Sequence, residues 1–380
     1  MRYPLPQAAL DYIDQHLEEY IELIKTLVQI PSPSNHEEKR AAFIKEWLEN
    51  NGCKGVYIDD ACNVVFPYQC DDDKQVVAFL AHTDTVFPDD HIPMRVEGDR
   101  IYAPGIGDDT ACVAGLMLIA RFLAQENYPT PYGILLVGNS GEEGLGNLRG
   151  SKQIVKDYGK RMYNFIAVDG GMPHVSVDCV GSQRYKITIK TEGGHSYGDF
   201  GNRNAIRYMA SLIDSLYSVK PPQEKKTTYN VGVINGGVSV NTICPEVSAL
   251  FDFRSPSREC LAEMLTCFES ILDTYSKMPG VTLEKEILAV RPCKGDVDPE
   301  KQQELWDRCI EIIKAHDDTE IKMDVPSCDA NIPWSEGIAS TTIGMLITGA
   351  NHTYDEWIEI SSLKKGLTVG LNTVLSYCII

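Results

Sequence analysis

Short segments of this chain set imidazole and carboxylate groups where apolar strands would run out. Residues 77–81 pass directly into His82-Thr83-Asp84. Residues two apart leave an extended chain on the same side, so Asp84 can accept the ring N–H that His82 leaves spare when its other nitrogen holds a metal. In isolation, a histidine and an aspartate at that spacing more often cap a loop. Gly105-Ile106-Gly107-Asp108-Asp109-Thr110 precedes an apolar helical pattern starting at Ala111. Helix capping accounts for Asp109 or Thr110. It accounts less readily for Asp108, whereas flexible glycines followed by a carboxylate suit an aspartate bridging two cations. Residues 134–137 deliver Gly138-Asn139-Ser140-Gly141-Glu142-Glu143-Gly144, and residues 166–168 deliver Asp169-Gly170-Gly171. Adjacent glutamates are ordinarily a solvated pair, but behind an apolar strand they need partners, and a cation is one. One glutamate can then coordinate while its neighbour takes a proton from water.

The elements that must position these groups alternate. Helical patterns over 10–28 and 37–50, a strand over 76–81, a helix over 111–124 and a strand over 133–138 predict an α/β layered domain, with binding groups at the C-terminal ends of its strands. From residue 180 the texture changes: strand 184–191, helix 205–217, strands 228–234 and 247–254, helix 258–276, strand 282–288. That is the β-α-β-β-α-β order of a ferredoxin-like domain. A helix over 300–315, with Pro299 suited to its first turn, and an apolar segment over 341–347 restore the first texture. The expectation is one domain split into 1–179 and 292–380 by an inserted domain at 180–291.

Composition narrows the partners. Against 35 Lys and Arg stand 54 Asp and Glu, a formal charge of -19, which disfavours nucleic acid and anionic lipid. The 12 cysteines form no C-x-x-C pair and have no regular spacing, so neither a disulfide framework nor a thiolate zinc site is indicated. There is no basic, apolar leader pattern and no run of about 20 apolar residues as a membrane span needs. These features predict a reduced, cytoplasmic protein without a membrane partner.

Taken in order, H-x-D, G-x-x-D-D, G-E-E, an acidic residue and the late histidine of Asn351-His352-Thr353 resemble the M20 metallopeptidase family from end to end. The resemblance implies a di-zinc aminopeptidase-like catalytic domain, a mixed sheet flanked by helices, with the inserted domain as lid and dimerisation unit. It implies that His82, Asp108 and Asp169 hold one divalent cation and Asp108, Glu143 and His352 a second, with Glu142 as general base, Asp84 supporting His82, and a cis peptide between Asp108 and Asp109. Nitrogen and oxygen donors without thiolate suit Zn2+, with Mn2+ or Co2+ also compatible. In the lid it implies that His195 stabilises an oxyanion, in cis or from a partner in a homodimer, and that Arg254, with Asn241 beside it, grips a substrate carboxylate. Aspartate at 169 looks more like the tripeptidase-T and dipeptidase branches than the related acetylornithine and succinyl-diaminopimelate deacylases. Ser327-Cys328-Asp329-Ala330-Asn331 is similar to a tripeptidase pocket loop, which makes Asp329 and Asn331 candidate substrate contacts, although Cys328 departs from that pattern.

Other readings compete, and a binding module that has lost catalysis is answered by the presence of every expected ligand and of Glu142. Gly144-Leu145-Gly146-Asn147-Leu148-Arg149-Gly150 superficially resembles a dinucleotide-binding loop, but its spacing is wrong and Glu142 and Glu143 would repel a pyrophosphate. An N-acyl-amino-acid deacylase of the same family is the alternative to hydrolysis of a short peptide.

Overall fold

The computed structural model describes residues 3–379. Contacts divide it into two compact units, one made of the chain up to Cys179 together with the chain from Gly295, the other running from Val180 to Lys294.

The larger unit is organised by an eight-stranded sheet in the spatial order Tyr57–Ile58, Val64–Tyr68, Gly133–Asn139, Val76–His82, Met162–Val168, Ser340–Ile343, His174–Ser176, Lys322–Asp324. The third to sixth of these run parallel. Every residue of Val76–His82 is buried, as expected of a parallel strand covered on both faces. Alternation assigns the two faces: Val77 and Phe79 pack toward one helical layer, while Ala78 and Leu80 share the opposite core with Ile154 of the helix Arg149–Tyr158. On the first face the helices Gln7–Val28, Ala111–Glu126 and Ile360–Leu375 pack on one another. Tyr20 donates its hydroxyl to the Ala111 carbonyl at 2.9 Å and Tyr12 to Leu118 at 2.9 Å. Arg121 makes a two-pronged pair with Glu19 at 2.7 and 2.8 Å.

The expected strand at 76–81 extends one residue, so that His82 ends it opposite Asn139. The C-terminal helix Ile360–Leu375 was not legible. Gly366, Gly370 and β-branched residues lower its helical propensity, yet packing requires the glycines: a Cβ on Gly366 would lie 1.3 Å from the Met345 carbonyl oxygen. The apolar segment expected over 341–347 is strand only over Ser340–Ile343.

The smaller unit is a four-stranded antiparallel sheet in the order Thr228–Gly236, Glu246–Ser255, Gly181–Lys190, Thr282–Arg291, with the helices Ala205–Tyr217 and Arg258–Ser276. This is the ferredoxin-like order. Asn204 and Ser257 cap the two helices through side-chain oxygens. Phe268 is fully buried, with ring centroids of Phe253, Phe251 and Tyr185 at 4.7, 5.1 and 5.5 Å. Phe268→Ala should therefore destabilise this unit by about 3–5 kcal/mol, read as a lower urea midpoint; a loss below about 1 kcal/mol would contradict this packing. No helix among the described residues is long and apolar enough to cross a membrane.

Candidate metal centre

Three of the strands that carry the chemistry are neighbours: Val76–His82 lies between Gly133–Asn139 and Met162–Val168, all parallel. Their C-terminal ends deliver His82, the Glu142-Glu143 turn and Asp169 to one edge of the sheet. Gly105 enters the remaining loop at φ 69°, and a Cβ on Gly107 would lie 1.9 Å from Thr348 Oγ1, so this loop needs both glycines. Its Asp108–Asp109 peptide is cis, as the resemblance implied.

Asp108 faces two imidazoles. Its Oδ1 is 2.9 Å from His82 Nε2 and its Oδ2 is 3.1 Å from His352 Nε2, which also lies 2.8 Å from Glu143 Oε1. Potential ligand atoms of Asp108, Glu143 and His352 lie within 4.8 Å of one another, as do those of His82, Asp109 and Asp169 and those of His82, Glu142 and Glu143. Asp109 is the residue that sequence reasoning missed. Capping does not occupy it, because Ala111–Glu126 has no side-chain cap. One of its oxygens accepts the His82 amide at 3.1 Å and the other is buried with no hydrogen bond of normal geometry among the described residues, the weakly donating Cys112 thiol lying near enough to favour its charge.

The second nitrogen of His82 differs from expectation in one respect. Nδ1 is 3.0 Å from the Asp84 backbone carbonyl and 3.5 Å from its carboxylate. That carboxylate instead accepts the amides of Glu142 and Glu143, both at 2.9 Å, and the Ser34 hydroxyl at 2.7 Å. Glu356, fully buried and not singled out from the sequence, does the same for the other loop, accepting the amides of Gly105, Gly107 and Asp108 at 3.1, 2.7 and 2.9 Å. Burial and nearby Asp108 push its carboxyl up to about 7 against those three donors.

Crowded carboxylates dominate the electrostatics. Burial, with Asp108 beside it, pushes Asp169 up to about 7, and burial and Asp169 hold Asp109 far above the carboxylate range. The Asp108 and Glu143 carboxylates raise His352 to about 11. Burial opposes a charge on His82, yet Asp108 and Asp84 raise it well above the usual imidazole value. Burial likewise opposes charge on Asp108, but His352 and His82 hold its carboxyl well below its ordinary value. Protons thus offset part of the negative charge. The weakly met Asp109 oxygen, the converging carboxylates and the all-nitrogen-and-oxygen donor set fit divalent cations.

Comparison with known proteins decides the family. The model of peptidase family M20/M25/M40 matches residues 78–376. The chain belongs to that family. It is accordingly a hydrolase, and the M20 chain carries groups able to hold metal ions. A Pyrococcus abyssi protein named as a LysW-lysine/LysW-ornithine hydrolase is 30% identical over 178 residues, 47% of this chain and 48% of that relative, so the match spans about half its length. Bacillus subtilis YqjE is 24% identical over 367 residues, 92% of this chain and 94% of its own. The crystal structure of a Staphylococcus aureus tripeptidase superposes with a TM-score of 0.75 at 21% identity, covering 94% of this chain and 97% of that one.

The other site residues expected of an M20 chain fall into separate places. Asp329 and Asn331 are 3% and 0% exposed. Asp329 accepts the Asn139 amide at 2.7 Å and the Ser151 hydroxyl, and Asn331 accepts the Cys328 amide at 2.9 Å. Both are turned inward: Asp329 braces Asn139, the register partner of His82, while Asn331 holds the Cys328 loop. In the smaller unit His195 pairs with Thr242, and the Ser196 amide donates to the Asn241 carbonyl at 2.9 Å, so His195 and Asn241 are neighbours. Arg254 lies at the far end of Glu246–Ser255, roughly 26 Å from Glu246 at about 3.3 Å per residue. Its Nε donates to Asp252 at 2.6 Å, and its terminal nitrogens have no partner among the described residues.

Neighbouring carboxylates favour protons on His82 and His352, and burial favours them on Asp109 and Asp169. Cations must displace them, because ligands bind deprotonated. These values lie above the usual ones, so affinity falls as pH drops and rises as pH climbs through 7. Calorimetry at pH 7 in two buffers of different ionisation heat should show at least one net proton released per protein loaded with Zn2+, and binding tighter by more than about tenfold at pH 8 than at pH 6. Proton-neutral, pH-independent binding would contradict the charge assignment.

Proposed function

We propose that this chain is a two-metal peptidase that hydrolyses an amide bond of a short peptide. The observation that carries the reading is the single Asp108 carboxylate set between His82 and His352, with Glu143 against the second imidazole. His82, Asp108 and Asp169 would hold one cation and Asp108, Glu143 and His352 the other, with Asp109 as a further donor on the His82 side. Zn2+ fits the donor types best, with Mn2+ or Co2+ compatible. When bound, such cations polarise a carbonyl and make water more acidic.

The chain's own residues do the rest. Glu142 takes the proton of the attacking water on its carboxylate and passes it to the leaving amine. Asp84, gripping the Glu142 and Glu143 amides together, fixes the separation of base and ligand. His195 Nδ1 accepts the amides of Gly198 and Tyr197 at 3.1 and 3.3 Å, which places the ring proton on Nε2 as a donor to a developing oxyanion. Arg254 offers its free guanidinium edge to a substrate carboxylate. Because Arg254 and the His195–Asn241 pair sit at opposite ends of a strand, one short substrate cannot touch both from the same copy. This supports a homodimer in which one of the two comes from the partner. Aspartate at 169 favours peptides; the relative named for hydrolysis of LysW-lysine keeps the N-acyl-amino-acid deacylase as second reading. Comparing hydrolysis of a free tripeptide with that of an N-acetylated amino acid separates them.

Base and ligand should be separable. Glu142→Gln is expected to retain metal while losing about 10²- to 10⁴-fold in turnover, whereas Glu143→Gln loses metal as well. Elemental analysis and kcat on both variants check this; high activity in Glu142→Gln, or full metal content in Glu143→Gln, would sink the assignment.

Arg254 has its own test. Amidating the C-terminus of a good di- or tripeptide should lower kcat/KM by more than about tenfold, and Arg254→Ala should erase most of that preference. His195→Ala should slow both substrates alike, since an oxyanion forms whichever end is blocked. Equal kcat/KM for acid and amide in the unmutated enzyme rules out carboxylate recognition.

A further inference from the structure

The turn that carries Glu142 and Glu143 is gripped at three successive amides. Asp84 takes those of Glu142 and Glu143, and the Gly141 amide just before them donates to Glu37 Oε1 at 3.0 Å. Glu37 stands 104 residues earlier in the chain, at the start of the helix Glu38–Asn50, where a carboxylate ordinarily answers the helix's own free amides. This one does not. It makes no side-chain cap to its helix, and it is fully buried. Its Oε1 also accepts the Asn35 amide at 3.0 Å, and its Oε2 pairs with the Arg149 guanidinium.

Arg149 belongs to the glycine-rich segment 144–150, which turns back behind the Glu142-Glu143 turn. The Leu148 amide donates to the Gly141 carbonyl at 2.8 Å and the Gly150 amide to the Ser140 carbonyl at 3.0 Å. Gly141 has φ 64°, and a Cβ there would lie 2.7 Å from the Arg149 side chain, so the arginine stem packs directly on the residue that leads from strand to base. Burial pushes the Glu37 carboxyl up and nearby Asp84 adds to it, while the Asn35 amide and Arg149 favour its charge. Two buried carboxylates thus hold one turn, and Arg149 supplies the cation that the second of them needs.

We propose that Glu37 and Arg149 are positioning residues for the proton-transfer step: their ion pair locks the Gly141 amide and so fixes where the Glu142 carboxylate stands, while Glu143 is held separately through Asp84. The inference rests on the peptidase reading above and adds to it how the base is kept in place. A misplacement of about 1 Å costs about a hundredfold in rate, so the pair governs turnover. Neither residue touches substrate or metal in this scheme, so KM and cation content do not depend on it.

The test uses the Zn2+-loaded full chain and a tripeptide. Glu37→Ala should lower kcat by about ten- to a hundredfold with KM and zinc content unchanged. Glu37→Gln, whose amide oxygen can still accept the Gly141 N–H, should recover part of that loss. Arg149→Met keeps an apolar stem on Gly141 and removes the charge; its side chain is 32% exposed, so folding tolerates the change, and it carries the test if Glu37→Ala does not fold. It should lower kcat several-fold, again with KM unchanged. Hydrogen exchange, read without substrate, keeps the two readings apart: in either variant the amides of 140–143 should exchange faster, by more than about tenfold in Glu37→Ala, with those of Val76–His82 unchanged. Faster exchange in the variants, together with no hydrolysis of any peptide by the unmutated protein, would refute the peptidase reading and leave the grip on the turn. Unchanged kcat in either folded variant, a loss confined to KM or to zinc content, or unchanged exchange at 140–143 would overturn the proposal.

Discussion

Six carboxylates, Asp84, Asp108, Asp109, Glu142, Glu143 and Asp169, converge on one end of a buried sheet with only two imidazoles among them, and the larger unit is arranged around that imbalance. Isolated buried charge is expensive. Here it is met in three ways. Backbone amides neutralise the carboxylates that need not bind anything: Asp84 takes two and Glu356 three. Imidazoles and bound protons meet part of the remainder. What is left, above all the weakly met oxygen of Asp109, is a demand for cations.

The same interactions set the geometry. Glu356 lies four residues after His352 and clasps the loop carrying Asp108, so it ties together two groups proposed to share one cation. Asp84 follows His82 by two residues and clasps the turn carrying Glu142 and Glu143, so it ties the other imidazole to the base. Parallel register between Val76–His82 and its two neighbours fixes the starting points of all these loops. A carboxylate that grips amides is rigid and makes few demands on neighbouring side chains, which leaves the open rim of the centre free for substrate.

Much of this was legible because apolar strands ending in His-x-Asp, Glu-Glu and Asp-Gly-Gly announce both the strand and what it delivers. The ferredoxin-like order of the smaller unit was equally plain from alternating texture. What stayed hidden depends on distant contacts. Asp109 reads locally as a cap, and only its placement beside Asp169 reveals otherwise. Glu356 looks like an ordinary loop carboxylate until the chain brings Gly107 to it from 249 residues away. Asp329 and Asn331 carry the pattern of a pocket loop, yet their partners Asn139, Ser151 and Cys328 draw them inward. The helix Ile360–Leu375 contradicts its own propensities because Met345 leaves no room for larger residues.

The central claim is that one carboxylate, Asp108, is shared by two cations. A crystal of the protein loaded with zinc, with anomalous data collected on both sides of the zinc edge, tests it most directly. The account predicts two anomalous peaks flanking Asp108, each with nitrogen and oxygen ligands at about 2.0–2.2 Å, one toward His82 and Asp169 and the other toward Glu143 and His352. A single peak, or two peaks of which neither touches Asp108, would contradict it.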